Sequence, residues 1–79
     1  ELPLRENEKR LTIVNKNVPN MISEITSLLA KNGINIFDML NKSRGDVAYT
    51  IIDIEGELDT KIVEKLLKVE GIKSVRIIG

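Results

Sequence analysis

A chain of 79 residues makes one small domain, which buries only about 60% of its unfolded surface and so gains from association with a copy of itself or a larger host. Its 12 Lys and Arg balance 12 Asp and Glu, and a single Phe and a single Tyr give no stacking platform, so nucleic acid is not an expected partner. With no Cys and no His, disulfides, thiol nucleophiles, imidazole bases and the usual zinc ligands are excluded, and neither a catalytic residue nor a metal site is expected.

Residues 1–9 alternate charges with Leu2, Pro3 and Leu4 and hold no sustained period, which predicts an exposed linker before a folded unit at 10–79. Glu1 in place of Met fits a segment of something longer. No charged-then-apolar leader precedes the domain, and no apolar run approaches the roughly 18 residues that span a bilayer, so no membrane partner and a cytoplasmic setting are expected. Residues 11–14 form a short apolar run of β-branched character and predict the first strand. The amide-rich turn Asn15-Lys16-Asn17-Val18-Pro19-Asn20 joins it to a helix that Pro19 opens, with Met21, Ile22, Ile25, Leu28 and Leu29 at helical spacing and a stop at Asn32-Gly33. Small anions and zwitterions suit such a turn, because the helix start offers unpaired N–H groups and the positive end of its dipole, while Asn side chains supply donors and acceptors together.

Residues 34–41 predict a second strand, whose start carries another amide, Asn35. Ile34 and Ile36 point one way, Phe37 and Met39 the other, and Asp38 interrupts, a mixture that on an edge strand invites pairing with another chain. Arg44-Gly45-Asp46 signals a hairpin turn, and residues 47–54 are nearly continuously apolar, as in a sheet centre. Asp59 is placed to cap a second helix with a stripe of Ile62, Val63, Leu66 and Leu67, closed by Gly71 before a last strand at 74–78.

The order βαββαβ defines an α+β, ferredoxin-like sandwich: a four-stranded antiparallel sheet, first and third strands central, with two helices on one face. Two strand-end amide sites around one helix point to a small-molecule sensor more than an enzyme. An acylphosphatase-like catalyst on this fold would need an Arg-bearing, Gly-rich phosphate loop after the first strand, and residues 15–20 hold neither Arg nor Gly. A purely structural assembly domain is the other alternative. Taken singly, Asn17 fits a helix cap or Asx-turn as well as a ligand contact, Asn35 fits an irregular strand start, and Asp53 and Glu55 fit a solvated strand end.

The stretch 10–78 resembles an ACT domain, and most closely the C-terminal regulatory domain of phosphoglycerate dehydrogenase. The resemblance rests on the Asn17-Val18-Pro19 turn, the Gly33-Ile34-Asn35-Ile36 strand start, the Ala48-Tyr49-Thr50-Ile51-Ile52-Asp53-Ile54-Glu55 strand and the linker with Leu2-Pro3-Leu4. It implies an amino-acid-sensing domain in which L-serine binds between two paired ACT domains and restrains a distant NAD-dependent catalytic domain, with no cofactor or catalytic residue in this part. The implied homodimer pairs second strands edge to edge, with first helices meeting across the axis. The implied ligand contacts are Asn15 and Asn17, with Val18, Pro19 and Asn20 at the helix start, and Asn35 with Ile36 from the neighbouring subunit. In the serine-inhibited form the position of Asn15 is a His and that of Asn20 a Gly.

Overall fold

Alternation along the central strands decides which side of the sheet is dry. In the computed structural model, which describes residues 8–56 and 58–78, the first strand, β1 (Glu8–Lys16), buries Leu11, Ile13 and Asn15 on one face. The chain continues through α1 (Met21–Lys31), β2 (Ile36–Arg44), β3 (Val47–Glu55), α2 (Thr60–Leu67) and β4 (Ile72–Ile78). Every strand pairing is antiparallel and the spatial order is β2-β3-β1-β4, as the βαββαβ pattern predicts. Both helices pack on one face: Met21, Ile25 and Leu29 of α1 and Ile62 and Leu66 of α2 form one core with Leu11, Ile13, Ile52 and Ile54.

The strands outrun their apolar patterns, because a backbone ladder needs no apolar side chain. β1 pairs along its whole length with β3, from Glu8 opposite Glu55 to Lys16 opposite Val47, so it begins ahead of residue 10, while residues 1–7 of the expected linker lie outside the described residues. β2 starts two residues later than its pattern because Ile34 is spent on closing α1, its N–H donating to Leu29 O at 3.0 Å. The mixed phase of β2 comes from a bulge. Ile36 faces Ile54 and Asp38 faces Asp53, so the register shifts at Phe37. Ile36 and Met39, three apart, thereby reach the same side of the sheet, each opposite a core Ile.

Two termini show why particular residues stand where they do. The Asp59 side chain caps α2 by accepting from Lys61 N–H at 3.0 Å, as expected. Gly71, which delivers the chain into β4, has φ +100°, and a Cβ there would lie 2.9 Å from Met21 Sδ, so the start of α1 rests directly on that glycine.

Among the described residues the other sheet face carries no helix, yet it holds an ion pair closed to water. Arg10 lies opposite Asp53 in register, and its Nε and Nη2 donate to Asp53 Oδ1 and Oδ2 at 2.7 and 3.1 Å. Asp53 is only 1% exposed, which corrects the expectation of a solvated strand end. Glu55 is exposed, in line with it.

Candidate functional site

The turn between β1 and α1 is held from two sides. Lys16 N–H donates to Gly71 O at 2.8 Å, toward β4, while Asn17 reaches the β2–β3 hairpin twice: its N–H donates to Asp46 O at 2.9 Å and its Nδ2 to Gly45 O at 3.0 Å. Val18, Pro19 and Asn20 then stand exposed on this clamped base. Asn20 is the N-cap of α1, with φ −85° and ψ −3° and no side-chain cap hydrogen bond. That backbone conformation suits any residue, so position 20 asks for no glycine on conformational grounds. Met21 N–H donates to Val18 O at 3.4 Å and Glu24 N–H to Asn20 O at 3.0 Å, and no side chain caps the N–H groups between them, at the positive end of the helix dipole where an anionic group is favoured.

A depression of about 330 Å³ beside this turn is lined by Lys16, Asn17, Val18, Asp46, Val47 and Lys73, and a second of about 280 Å³ by Lys16, Val18, Asn20, Met21, Glu24, Glu70 and Gly71. Both cations and carboxylates border them, a combination that complements a zwitterion. A larger groove, about 700 Å³, runs between the helices past Leu28 and Val69; Lys65 Nζ donates there to Asn32 Oδ1 at 2.9 Å. Its walls mix Ser23 and Ser27 with the charged side chains of Glu24, Lys31, Lys65 and Glu70, and it lacks the clamped backbone of the turn.

Asn15, the third amide of the sequence motif, is turned inward and 1% exposed. Its Nδ2 donates to Lys16 O at 2.8 Å and its Oδ1 accepts from Thr50 Oγ1 at 2.9 Å; Thr50 Oγ1 in turn accepts from Asn41 Nδ2 at 2.9 Å. Thr50 and Asn41 were not singled out from sequence. A signal existed: Asn15 and Thr50 each stand two residues from a core Ile on the same face, Ile13 and Ile52, and a polar side chain at a core-facing position needs an internal partner.

Asn35 and Ile36 lie at the opposite end of the sheet. Asn35 Nδ2 donates to Glu55 Oε1 at 3.1 Å and Asn35 O accepts from Glu55 N–H at 3.0 Å, beside the last residue of β3; Ile36 is half-buried opposite Ile54. The turn of Asn17 sits instead against Asp46, just before the first residue of β3. A nine-residue strand spans roughly 27 Å. One copy of the chain therefore does not bring Asn17 and Asn35 together.

Among the described residues no group of three or more His, Cys, Asp or Glu could hold a metal ion, and no helix is long and apolar enough to cross a membrane. Sheet order, one-sided helices and the clamped helix start define an α+β module of ferredoxin-like fold. The chain belongs to the ACT domain family, whose model matches residues 9–71. ACT domains are regulatory parts of enzymes and do not catalyse alone.

Among solved structures, the ACT domain from GTP pyrophosphokinase of Chlorobium tepidum is similar over 90% of this chain and 96% of its own, with 22% identity and a TM-score of 0.76. A homoserine dehydrogenase from Thiobacillus denitrificans matches 91% of this chain with 20% identity and a TM-score of 0.76, but the chain spans only 17% of that enzyme. The ligand-free regulatory subunit of aspartate kinase from Thermus thermophilus matches 96% of this chain and 53% of its own length, with 12% identity and a TM-score of 0.74. At these identities the likeness is one of fold. No curated protein sequence matches the chain.

Proposed function

We propose that this chain is the effector-binding regulatory domain of an NAD-dependent phosphoglycerate dehydrogenase of serine biosynthesis, and that it binds L-serine between two copies to inhibit the enzyme by feedback. NAD belongs to a separate catalytic part of that enzyme, and this domain needs no cofactor. The observation that carries the reading is the separation of Asn17 from Asn35 within one copy. Antiparallel pairing of two β2 edges about a two-fold axis sets the Ile36 end of one strand against the Arg44 end of the other, so that Asn35 of one copy meets the turn of its partner. Two equivalent sites follow. Backbone N–H groups near Val18, Asn20 and Met21 take the carboxylate, while Asn17 of one copy and Asn35 of the other take the ammonium and hydroxyl. Asn15 shapes the turn from beneath through Lys16 O. The choice of parent enzyme is supported by the resemblance of residues 17–19, 33–36 and 48–55.

One observation favours a second reading, a structural dimerisation domain of the same enzyme without an effector: the Asn15 amide and Asn17 Nδ2 are already engaged inside the chain. Calorimetry separates the two. L-serine titrated into the chain should give saturable heat at millimolar concentration or below, with two sites per dimer. Asn35→Ala should weaken it roughly ten- to a hundredfold, the effect of losing one hydrogen bond to a charged group. Absence of serine heat from a folded, dimeric chain would reject the sensor and leave the structural role.

A further inference from the structure

The pattern of β3 asks for cover on both sides of the sheet, and the helices supply one. Ile52 and Ile54 join the core under the helices, while Val47, Tyr49 and Ile51 alternate onto the other face, where Tyr49 is 49% exposed. A central strand apolar on both faces is the mark of a sheet that is buried on both. Register adds Leu40, opposite Ile51, and Val14, opposite Tyr49, so five apolar side chains meet in one patch. Exposed charges stand at its two ends, sorted by sign. Lys16 and Arg44 flank Val47 and Lys42 lies beside Tyr49, whereas Asp38 lies beside Asp53 and Glu55 closes the far end of β3. The Arg10–Asp53 pair within the negative end is already desolvated and internally neutralised, so a second layer over it strips little further water.

We propose that this open face packs on the same face of a second copy, with the strands of the two copies running in opposite directions about a two-fold axis that crosses Leu40 and Ile51. Stacked sheets lie about 10 Å apart, within reach of side chains from both. The axis carries each cross-strand row to the row equally far beyond Ile51. Lys42 then meets Asp38 of the second copy, and Glu55 of the second copy comes between Lys16 and Arg44, because β3 lies between β1 and β2. A two-fold along the strands would instead stack like ends on each other. The crossing axis also places Arg76 opposite itself, but Arg76 stands exposed on the edge strand β4 and extends into solvent. The apolar patch supplies the affinity, and the rim charges set the direction. This contact requires neither serine nor the β2 edge; with both edge and face in use, the axes close an assembly of four copies.

Sedimentation equilibrium tests this on the native chain, Ile51→Lys, Lys16→Glu, Glu55→Lys and the double variant Lys16→Glu/Glu55→Lys, each checked for folding by circular dichroism. Ile51→Lys sets a charge on the axis against its own copy and should lower the number of associated copies, from four to two where β2 edges pair and from two to one where they do not. Each single reversal should raise the dissociation constant of the face contact roughly threefold or more, and the double variant should return it to within about twofold of native. Lys16 and Glu55 stand roughly 26 Å apart within one copy, and across paired β2 edges four strand spacings, roughly 19 Å, separate them, so only stacked faces bring them together. The charge reversals lie at exposed positions and test the contact even where Ile51→Lys folds poorly. Equal association of native and folded Ile51→Lys chains would overturn the proposal. A double variant as weak as the single ones would overturn the reversed stacking.

Discussion

At the scale of single residues, Asp53 shows how a charge can be held inside a small sheet. It stands between two cross-strand neighbours, Asp38 on β2 and Arg10 on β1, and the bidentate contact from Arg10 offsets both the lost hydration and the facing carboxylate. Such a pair adds little over an apolar pair of the same shape, but breaking it leaves a buried charge without the carboxylate that balances it. Asp53→Ala should therefore cost about 3–5 kcal/mol of stability, measured by urea unfolding. A loss below about 1 kcal/mol, the range of exposed pairs, would show that water reaches Arg10 freely. The amides of the turn follow a similar logic. Asn15 is fixed by what it must satisfy in the dry interior, Asn17 by the hairpin it holds, and Asn20 makes no cap bond at all. Three residues of one type in one motif thus have three different occupations, and only Asn20, with the free oxygen of Asn17, faces outward uncommitted.

At the scale of elements, both helices and all four strands were legible from helical spacing, apolar runs and turn signals together, since Met21, Ile25 and Leu29 recur at helical spacing, residues 11–14 and 47–54 are apolar runs, and Gly33, Gly45 and Gly71 mark the turns. What sequence did not show was register. The bulge at Phe37 changes the phase of β2, and a local pattern cannot tell a bulge from a break, because the evidence lies on the partner strand. The Arg10–Asp53 pair is hidden in the same way, its members being 43 positions apart. Of the expected site residues, Asn17, Val18 and Asn20 were legible as an exposed turn. The burial of Asn15 was legible in principle from the alternation Leu11, Ile13, Asn15, which the attraction of an amide cluster overrode. The bulge also has a consequence for assembly. It leaves Met39 and Phe37 at 43% and 38% exposure on an unpaired edge, with no Pro along β2 to blunt it. Met39→Lys should weaken self-association at least tenfold in sedimentation equilibrium, since a two-fold axis places the new charge near its own copy. A monomeric native chain at high micromolar concentration, or a variant that dimerises unchanged, would rule out this edge.

At the scale of the whole molecule, the two halves of the proposed site sit at opposite ends of the sheet, so a bound amino acid and a second copy must favour each other. Each copy alone offers either the turn or Asn35 to a given ligand, never both. Ligand bound between copies adds contacts that exist only in the dimer, and by linkage the dimer binds more tightly than the monomer does. The expected size follows from mass action. Serine at about 100 times its dissociation constant adds roughly 2.7 kcal/mol per site, and a domain of 60–100 residues gains roughly 4–8 °C in melting temperature per kcal/mol, so the shift should be on the order of 10 °C. Two controls make it specific to an intersubunit site. Raising the concentration of the chain should lift the melting temperature without serine, and Asn35→Ala should remove most of the serine shift while keeping that concentration dependence. Differential scanning calorimetry at two chain concentrations, with and without serine, measures all four conditions. A full serine shift in Asn35→Ala, or one that persists unchanged when the chain is diluted to monomer, would place the ligand within one copy and remove the reason for coupling binding to assembly.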